Sequence, residues 1–284
     1  MSSKMSRVTS KVIWGLGRRY GRYIPSLRRI WIFQAFGQLA NCYLHYFENH
    51  FYDFVFNGEK DVIEKLTPPD GGVLLDVGGH HGNYTELLLR QFPNTSIHVF
   101  EINPQNLEIL KKKVGEQANI KIHPFGLGSK EEHATMIQYN QDGQISSLHN
   151  LGDPTSADLA GRHTVLIKRG DDLLAQEKIQ DIYFMKIDTE GNDLEVLKGF
   201  ESALNQKKIH IIQFEYNETS IYARLFLKDF FNYLRPKKYK IGRIFPRRIE
   251  FTEYSTTFED HRGSNWIACA DTMPGKRFIS SISR

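Results

Sequence analysis

Four short apolar runs in this chain each deliver an acid to a turn or to the start of a polar segment. Asp76 lies near the end of the first, Glu101 closes the second, Asp188 the third and Glu215 the fourth. Near-continuous apolar runs suit strands buried on both faces, and such strands belong to parallel sheets covered by helices. The predicted strands are Val73–Val77, Ser96–Ile102, Ile120–Leu127, Asp181–Asp188, His210–Tyr216, Tyr239–Ile244 and Asn265–Ala270. Amphipathic helices are predicted between them over Tyr84–Gln91, Pro104–Glu116, Asp193–Asn205 and Ile221–Leu234. This alternation gives an α/β fold, in which ligands bind at the carboxyl ends of the strands. The acids stand at those ends. Met136–His163 breaks the rhythm with Gly, Asn, Ser and Asp and reads as an insertion or a β-rich loop.

The first motif is Leu75-Asp76-Val77-Gly78-Gly79-His80-His81-Gly82-Asn83. A strand runs into a glycine turn and then a helix, whose free N–H groups can meet a carboxylate or phosphate. The glycines do not follow the G-x-G-x-x-G dinucleotide spacing. An acid followed by G-x-x-x-G suits S-adenosylmethionine better; a tight turn without a ligand is the bland alternative. In the second motif, Val99-Phe100-Glu101-Ile102-Asn103-Pro104, Glu101 lies 19 residues beyond Gly82. A βαβ unit brings an acid there beside the first loop, where it can accept both ribose hydroxyls.

The third motif, Met185-Lys186-Ile187-Asp188-Thr189-Glu190-Gly191-Asn192-Asp193, ends a strand on two closely spaced carboxylates. Such a pair can move protons or hold a divalent ion such as magnesium, and acids at a helix start can also be mere caps. No resident metal is assigned, and Asn192 reads as a cap. The fourth, Ile211-Ile212-Gln213-Phe214-Glu215-Tyr216-Asn217, adds Glu215, either beside the third motif or in a capping role.

Taken in order, D-V-G-x-x-x-G, V-F-E-x-N-P, K-I-D-T-E-G-N-D-L-E-V-L-K-G and I-Q-F-E-Y resemble the FkbM family of S-adenosylmethionine-dependent methyltransferases. The resemblance covers about residues 66–270, and the third stretch is its most specific part. Ile145-Ser146-Ser147-Leu148 is similar to a small-residue segment of that family. The family loop usually reads D-V-G-A-N-x-G, whereas here Gly79 and His80 replace Ala and Asn. The resemblance implies a class I, Rossmann-like methyltransferase fold: a seven-stranded, mostly parallel sheet flanked by helices, with one reversed strand. It implies S-adenosyl-L-methionine as cofactor and a hydroxyl of a sugar, glycan or natural product as acceptor. By the same resemblance Asp76, Gly78 and Gly82 shape the loop, which also carries His80 and Asn83 as cofactor contacts. Glu101 holds the ribose, Ile102 and Leu127 flank the adenine, and Asp188 sits beside the transferred methyl.

An aliphatic hydroxyl is a weak nucleophile, so a base is expected among Asp188, Glu190 and Glu215, in that order of preference, with His80 and His81 as further candidates. Two other classes stay open: a cofactor-binding pseudoenzyme or regulatory module, and a nucleotide-dependent oxidoreductase of similar topology, against which the glycine spacing speaks.

Charge divides the chain. Residues 1–47 hold eight Lys or Arg and no acid, although the net charge of the whole is only +4. A basic, helical extension is therefore expected over residues 1–65 and a methyltransferase domain over 66–284. The stretch Ile30–Phe47 lacks charge, but Gln34, Gln38, Asn41 and His45 form one polar stripe, which favours an amphipathic helix over a spanning one. The arm can be a solvated cover, a peripheral contact with an anionic membrane, or a transit peptide. No nucleic-acid-binding motif is present. Arg235–Arg248 forms a second basic cluster, readable as a solvated hairpin face or as a site for an anionic glycan or lipid head group. Two distant cysteines, Cys42 and Cys269, and the lack of a secretory signal point to the cytoplasm. A glycan on the Asn83 sequon would block the loop, which agrees with that location.

Overall fold

The computed structural model describes residues 2–139, 146–152 and 160–282. Ile145 and much of Met136–His163 lie outside that description. The chain forms two compact units, Met1–His50 and Phe51–Arg284. The first is helical: α1 (Ser2–Tyr20), α2 (Ile24–Leu27) and α3 (Trp31–Phe47). Among the described residues no helix is long and apolar enough to cross a membrane.

The second unit begins with α4 (Glu59–Lys65), β1 (Val73–Val77), α5 (Asn83–Gln91), β2 (Ser96–Phe100), α6 (Pro104–Val114) and β3 (Ile120–His123). Next come β4 (Gly126–Gly128), β5 (Glu132–Gln138), β6 (Ser146–Ser147), β7 (Gly161–Arg169), α7 (Gly170–Glu177) and β8 (Ile182–Ile187). The chain continues through α8 (Asp193–Gly199), α9 (Glu201–Asn205), β9 (Ile209–Tyr216), α10 (Thr219–Tyr222) and α11 (Leu227–Leu234). It closes with β10 (Tyr239–Phe245), β11 (Arg248–Phe251), β12 (Ser264–Ala270) and α12 (Met273–Ile282). Residues 51–65, grouped with the extension on sequence grounds, fall in this unit, because Val62, Ile63 and Leu66 are buried in its core.

Eight strands form the main sheet in the order β11-β10-β12-β9-β8-β1-β2-β3. The run from β3 to β9 is parallel, and β12 is antiparallel to both β9 and β10. The seven expected strands are thus joined by an eighth, β11, hairpinned onto β10. Alternate residues feed opposite layers. Leu75, Met185 and Ile212 enter one core, and Leu74, Phe184 and Ile211 the other. The sheet reverses its order of addition between β1 and β8, and the strand-end acids open there.

Three predicted elements divide. Ile120–Leu127 is two strands in two sheets, because Pro124 has no N–H to continue the ladder. Asp193–Asn205 turns at buried Phe200. Ile221–Leu234 breaks where Arg224 takes a left-handed φ of 54°, and α11 restarts with Asp229 Oδ2 accepting from Phe226 N–H at 2.9 Å. The irregular stretch contributes to a second sheet, β4-β7-β5-β6, which sequence periodicity did not resolve.

Candidate active site

Gly78 adopts φ 91°, and a Cβ there would lie 1.8 Å from the Asp188 carbonyl oxygen. Only glycine lets the ends of β1 and β8 approach so closely. The Gly78 and Gly79 N–H groups both donate to Phe100 O at 2.9 Å, which folds the loop over the end of β2. His80 is left-handed at φ 48°. Asn and His both tolerate that region better than most residues, so His can stand where the family usually has Asn. The His80 N–H donates to Glu101 Oε2 at 2.7 Å, and its ring stacks on His81 at 3.8 Å between centroids.

Glu101 is buried, and its second oxygen accepts from Asn103 N–H at 2.7 Å. Burial raises its carboxyl to about 7 against the backbone bonds from Asn103, His80 and Ile102. Asn103 caps α6, and its amide donates to Ser146 Oγ at 2.9 Å and Gln138 Oε1 at 3.2 Å, tying the second sheet to the site.

A pocket opens between these elements. Its polar wall holds Gly78, His80, Glu101, Asp188 and Glu190, and its apolar wall holds Ile102, Leu127, Leu148 and Ile167. Asp76, Gly82 and Asn83 were expected among the cofactor contacts, but they do not line it. Asp76 is fully buried beneath the loop and accepts from Thr85 Oγ1 at 2.6 Å. Gly82 is the N-cap of α5, and the Asn83 side chain accepts from Lys113 on the exposed surface.

The acids of β8 and β9 gather at one edge of the pocket. Lys186 is buried and donates to Asp188 Oδ2 at 2.9 Å. Burial works to raise the Asp188 carboxyl, but the Lys186 ammonium outweighs it and holds the group below its ordinary range. Glu190, left-handed at φ 53°, is pushed up to about 8 by burial and by the charges of Asp188 and Asp193. Glu215 is raised well above the usual carboxylate range by burial and then by Asp188 and Glu190. Asn217 bridges them, donating to Glu215 Oε2 at 2.8 Å and Glu190 Oε2 at 3.4 Å. One acid held low thus stands beside two whose proton affinity is raised.

Asn192, read as a cap, makes no side-chain capping bond; its amide donates to Leu127 O at 3.1 Å and fixes the apolar wall. Two residues escaped the sequence reading. Asp193 is buried and raised to about 7 by burial and then by Asp188. Tyr52 donates to Glu218 Oε2 at 2.6 Å, close enough to Glu215 and Glu190 to feel their charge. No local motif marks it, because the fold alone brings it there. Among the described residues no cluster of His, Cys, Asp and Glu has the arrangement of a metal site.

Carboxylate acceptors beside an apolar wall suit a ligand that brings hydrogen-bond donors to Glu101, an apolar group to the wall of Ile102 and Leu127, and positive charge to Asp188.

The family model described as Methyltransferase FkbM domain matches residues 76–241. Methyltransferase 1 of Beauveria bassiana is 24% identical over 149 residues, 47% of this chain and 60% of that protein. Hexuronic acid methyltransferase AglP of Haloferax volcanii is 25% identical over 158 residues, 55% of this chain and 62% of that protein. The chain therefore spans somewhat less than two thirds of the length of these relatives. Among solved structures, TrmK of M. capricolum in complex with S-adenosyl-homocysteine aligns with a TM-score of 0.41 at 14% identity, covering 75% of this chain and 68% of that one.

Proposed function

The chain belongs to the FkbM methyltransferase family, and from that premise we propose that it is an O-methyltransferase acting on a hydroxyl of a sugar, glycan or natural product. S-adenosylmethionine is its cofactor. The observation that carries the reading is the pairing of Glu101 with Asp188 across one pocket, at the ends of strands that flank β1. The sugar preference draws on the likeness to a hexuronic acid methyltransferase.

The cofactor supplies a methyl group on a positively charged sulfur. The residues do the rest. Glu101 and the apolar wall of Ile102 and Leu127 fix orientation, which can account for roughly 7–11 kcal/mol of barrier in well-positioned reactions. Asp188, kept ionised by Lys186, presents negative charge to the cationic centre. A weak base because of that pairing, it is better suited to electrostatics than to taking a proton. Once ionised, Glu190 and Glu215 have the raised proton affinity suited to taking the proton that the hydroxyl gives up. Glu190 lines the pocket and is assigned that role.

The test is methyl transfer by the full chain to a panel of glycans and hydroxylated small molecules, read by mass spectrometry beside calorimetric binding of S-adenosylhomocysteine. A methylated hydroxyl product supports the reading. Tight binding with no methylated product across the panel would favour a cofactor-binding module without transfer.

A further inference from the structure

The helical unit Met1–His50 presents an apolar surface that a freely solvated segment would not keep. On α3, Ile32, Phe36, Leu39, Tyr43 and Phe47 recur at helical spacing along one face, with exposures of 43%, 63%, 65%, 62% and 61%. Gln34, Gln38, Asn41 and His45 occupy the opposite face. α1 repeats the design: Val12, Ile13, Leu16 and Tyr20 share one side and are each more than half exposed. Lys11 and Arg18 stand on the other side. Contiguous exposed apolar faces of this kind mark an interaction surface.

Charge identifies the occupant. Residues 1–47 carry eight basic side chains and no acid. All eight precede α3, so a second copy would bring like charge against the α1 side of the unit, and self-association there is opposed. An anionic lipid surface answers both features, because apolar side chains enter the headgroup boundary while Lys and Arg meet the lipid charge. Trp14, Tyr20, Tyr23 and Trp31, all exposed, are the side chains favoured at that depth. Neither helix can span, so the unit lies on the surface. We propose that residues 1–50 bind the protein peripherally to anionic phospholipid bilayers. The proposal is independent of the catalytic reading.

The full chain is sedimented with vesicles of phosphatidylcholine alone and of phosphatidylcholine mixed with phosphatidylserine, at low and high salt. Binding is expected to the mixed vesicles and to weaken with salt. Neutralising three charges, R18Q/R19Q/R22Q, should lower that affinity roughly a hundredfold, since each basic residue near an anionic surface counts about fivefold. F36S/L39S/Y43S should lower it as well. S-adenosylhomocysteine binding by the variants reports that the second unit remains folded. Equal affinity for neutral and mixed vesicles, or binding unchanged in both variants, overturns the proposal. So does a dimer, seen by light scattering, that F36S/L39S/Y43S abolishes, because a second copy would then occupy the face.

Discussion

Lys186 Nζ lies 2.9 Å from Asp188 Oδ2, and the ammonium is buried while the carboxylate keeps a third of its side chain open toward the pocket. The same ammonium lies within electrostatic reach of Asp76 and Glu59, both deeply buried. One cation therefore acts on three acids: it holds Asp188 low, while burial still raises Asp76 and Glu59 against it. Lys186→Met leaves them without a counter-charge. Removal of one partner from a buried ionic group costs about 3–5 kcal/mol, and a loss of that size is expected in urea unfolding of the variant. A change under about 1 kcal/mol would show that the acids neutralise themselves by protonation.

Asp188→Asn keeps an acceptor for Lys186 but removes the charge facing the pocket. S-adenosylhomocysteine affinity should stay within a few-fold, while turnover should fall about 100–1,000-fold, the scale of losing one preorganised electrostatic partner. Calorimetry beside steady-state kinetics separates the two. Unchanged turnover removes Asp188 from the mechanism.

Raised carboxyls set the pH dependence of stability. Glu101 and Asp193 are raised to about 7 and Glu190 to about 8, all by burial first. Between the ordinary carboxylate range and those values the folded state binds more protons than the unfolded chain. Stability must then fall as pH rises from about 6.5 to about 8, above the ordinary histidine value, where the depressed His98, His123, His149 and His210 no longer act against it. Asp188, held low, acts oppositely, and its contribution is lost only on acidification below its ordinary value of 3.8. Melting temperature measured across this window should decline, and Glu190→Gln should flatten the upper part. A melting temperature that rises over the window contradicts the assignment.

Gly78→Ala places a methyl group against the Asp188 carbonyl and forces a left-handed backbone on alanine. The backbone strain alone costs on the order of 1–3 kcal/mol. Relief by separating β1 from β8 would displace Asp188 from the pocket. A lower melting point together with weaker S-adenosylhomocysteine binding is expected. A variant that binds like the wild type shows that the loop can shift without the acids.

The parts of this fold that could be read from sequence are those where one local rule decides. The run Val73–Val77 and the glycines after it specify a strand and a turn by themselves, and the motif from Lys186 to Asp193 places its acids by strand length alone. Pro124 was readable as a strand breaker, yet the apolar residues on both sides of it gave an unbroken pattern. The short strands β4 and β6 find partners only through distant β5 and β7, so their register is invisible locally. Proton affinities were out of reach for the same reason. Asp188 and Glu190 are two residues apart in the chain, and what separates them chemically is Lys186 on one side and burial beside like charges on the other. Asp76, Gly82 and Asn83 belong to the loop motif, but the turn directs them beneath or away from the pocket.

Glu190 decides the pH profile of the reaction. A carboxyl raised to about 8 by burial, Asp188 and Asp193 is mostly protonated at neutral pH and accepts a proton only once ionised. Wild-type turnover under saturating cofactor should therefore rise with pH and level off above about 8. Glu190→Gln preserves size and can still accept from Asn217. It should lower turnover about 100–10,000-fold, the range for a general base, and abolish the rise. S-adenosylhomocysteine affinity is expected to change little, because Glu101 and the apolar wall are untouched. If the profile survives in Glu190→Gln and disappears in Glu215→Gln, the proton goes to Glu215, the other raised carboxyl on the far side of Asn217.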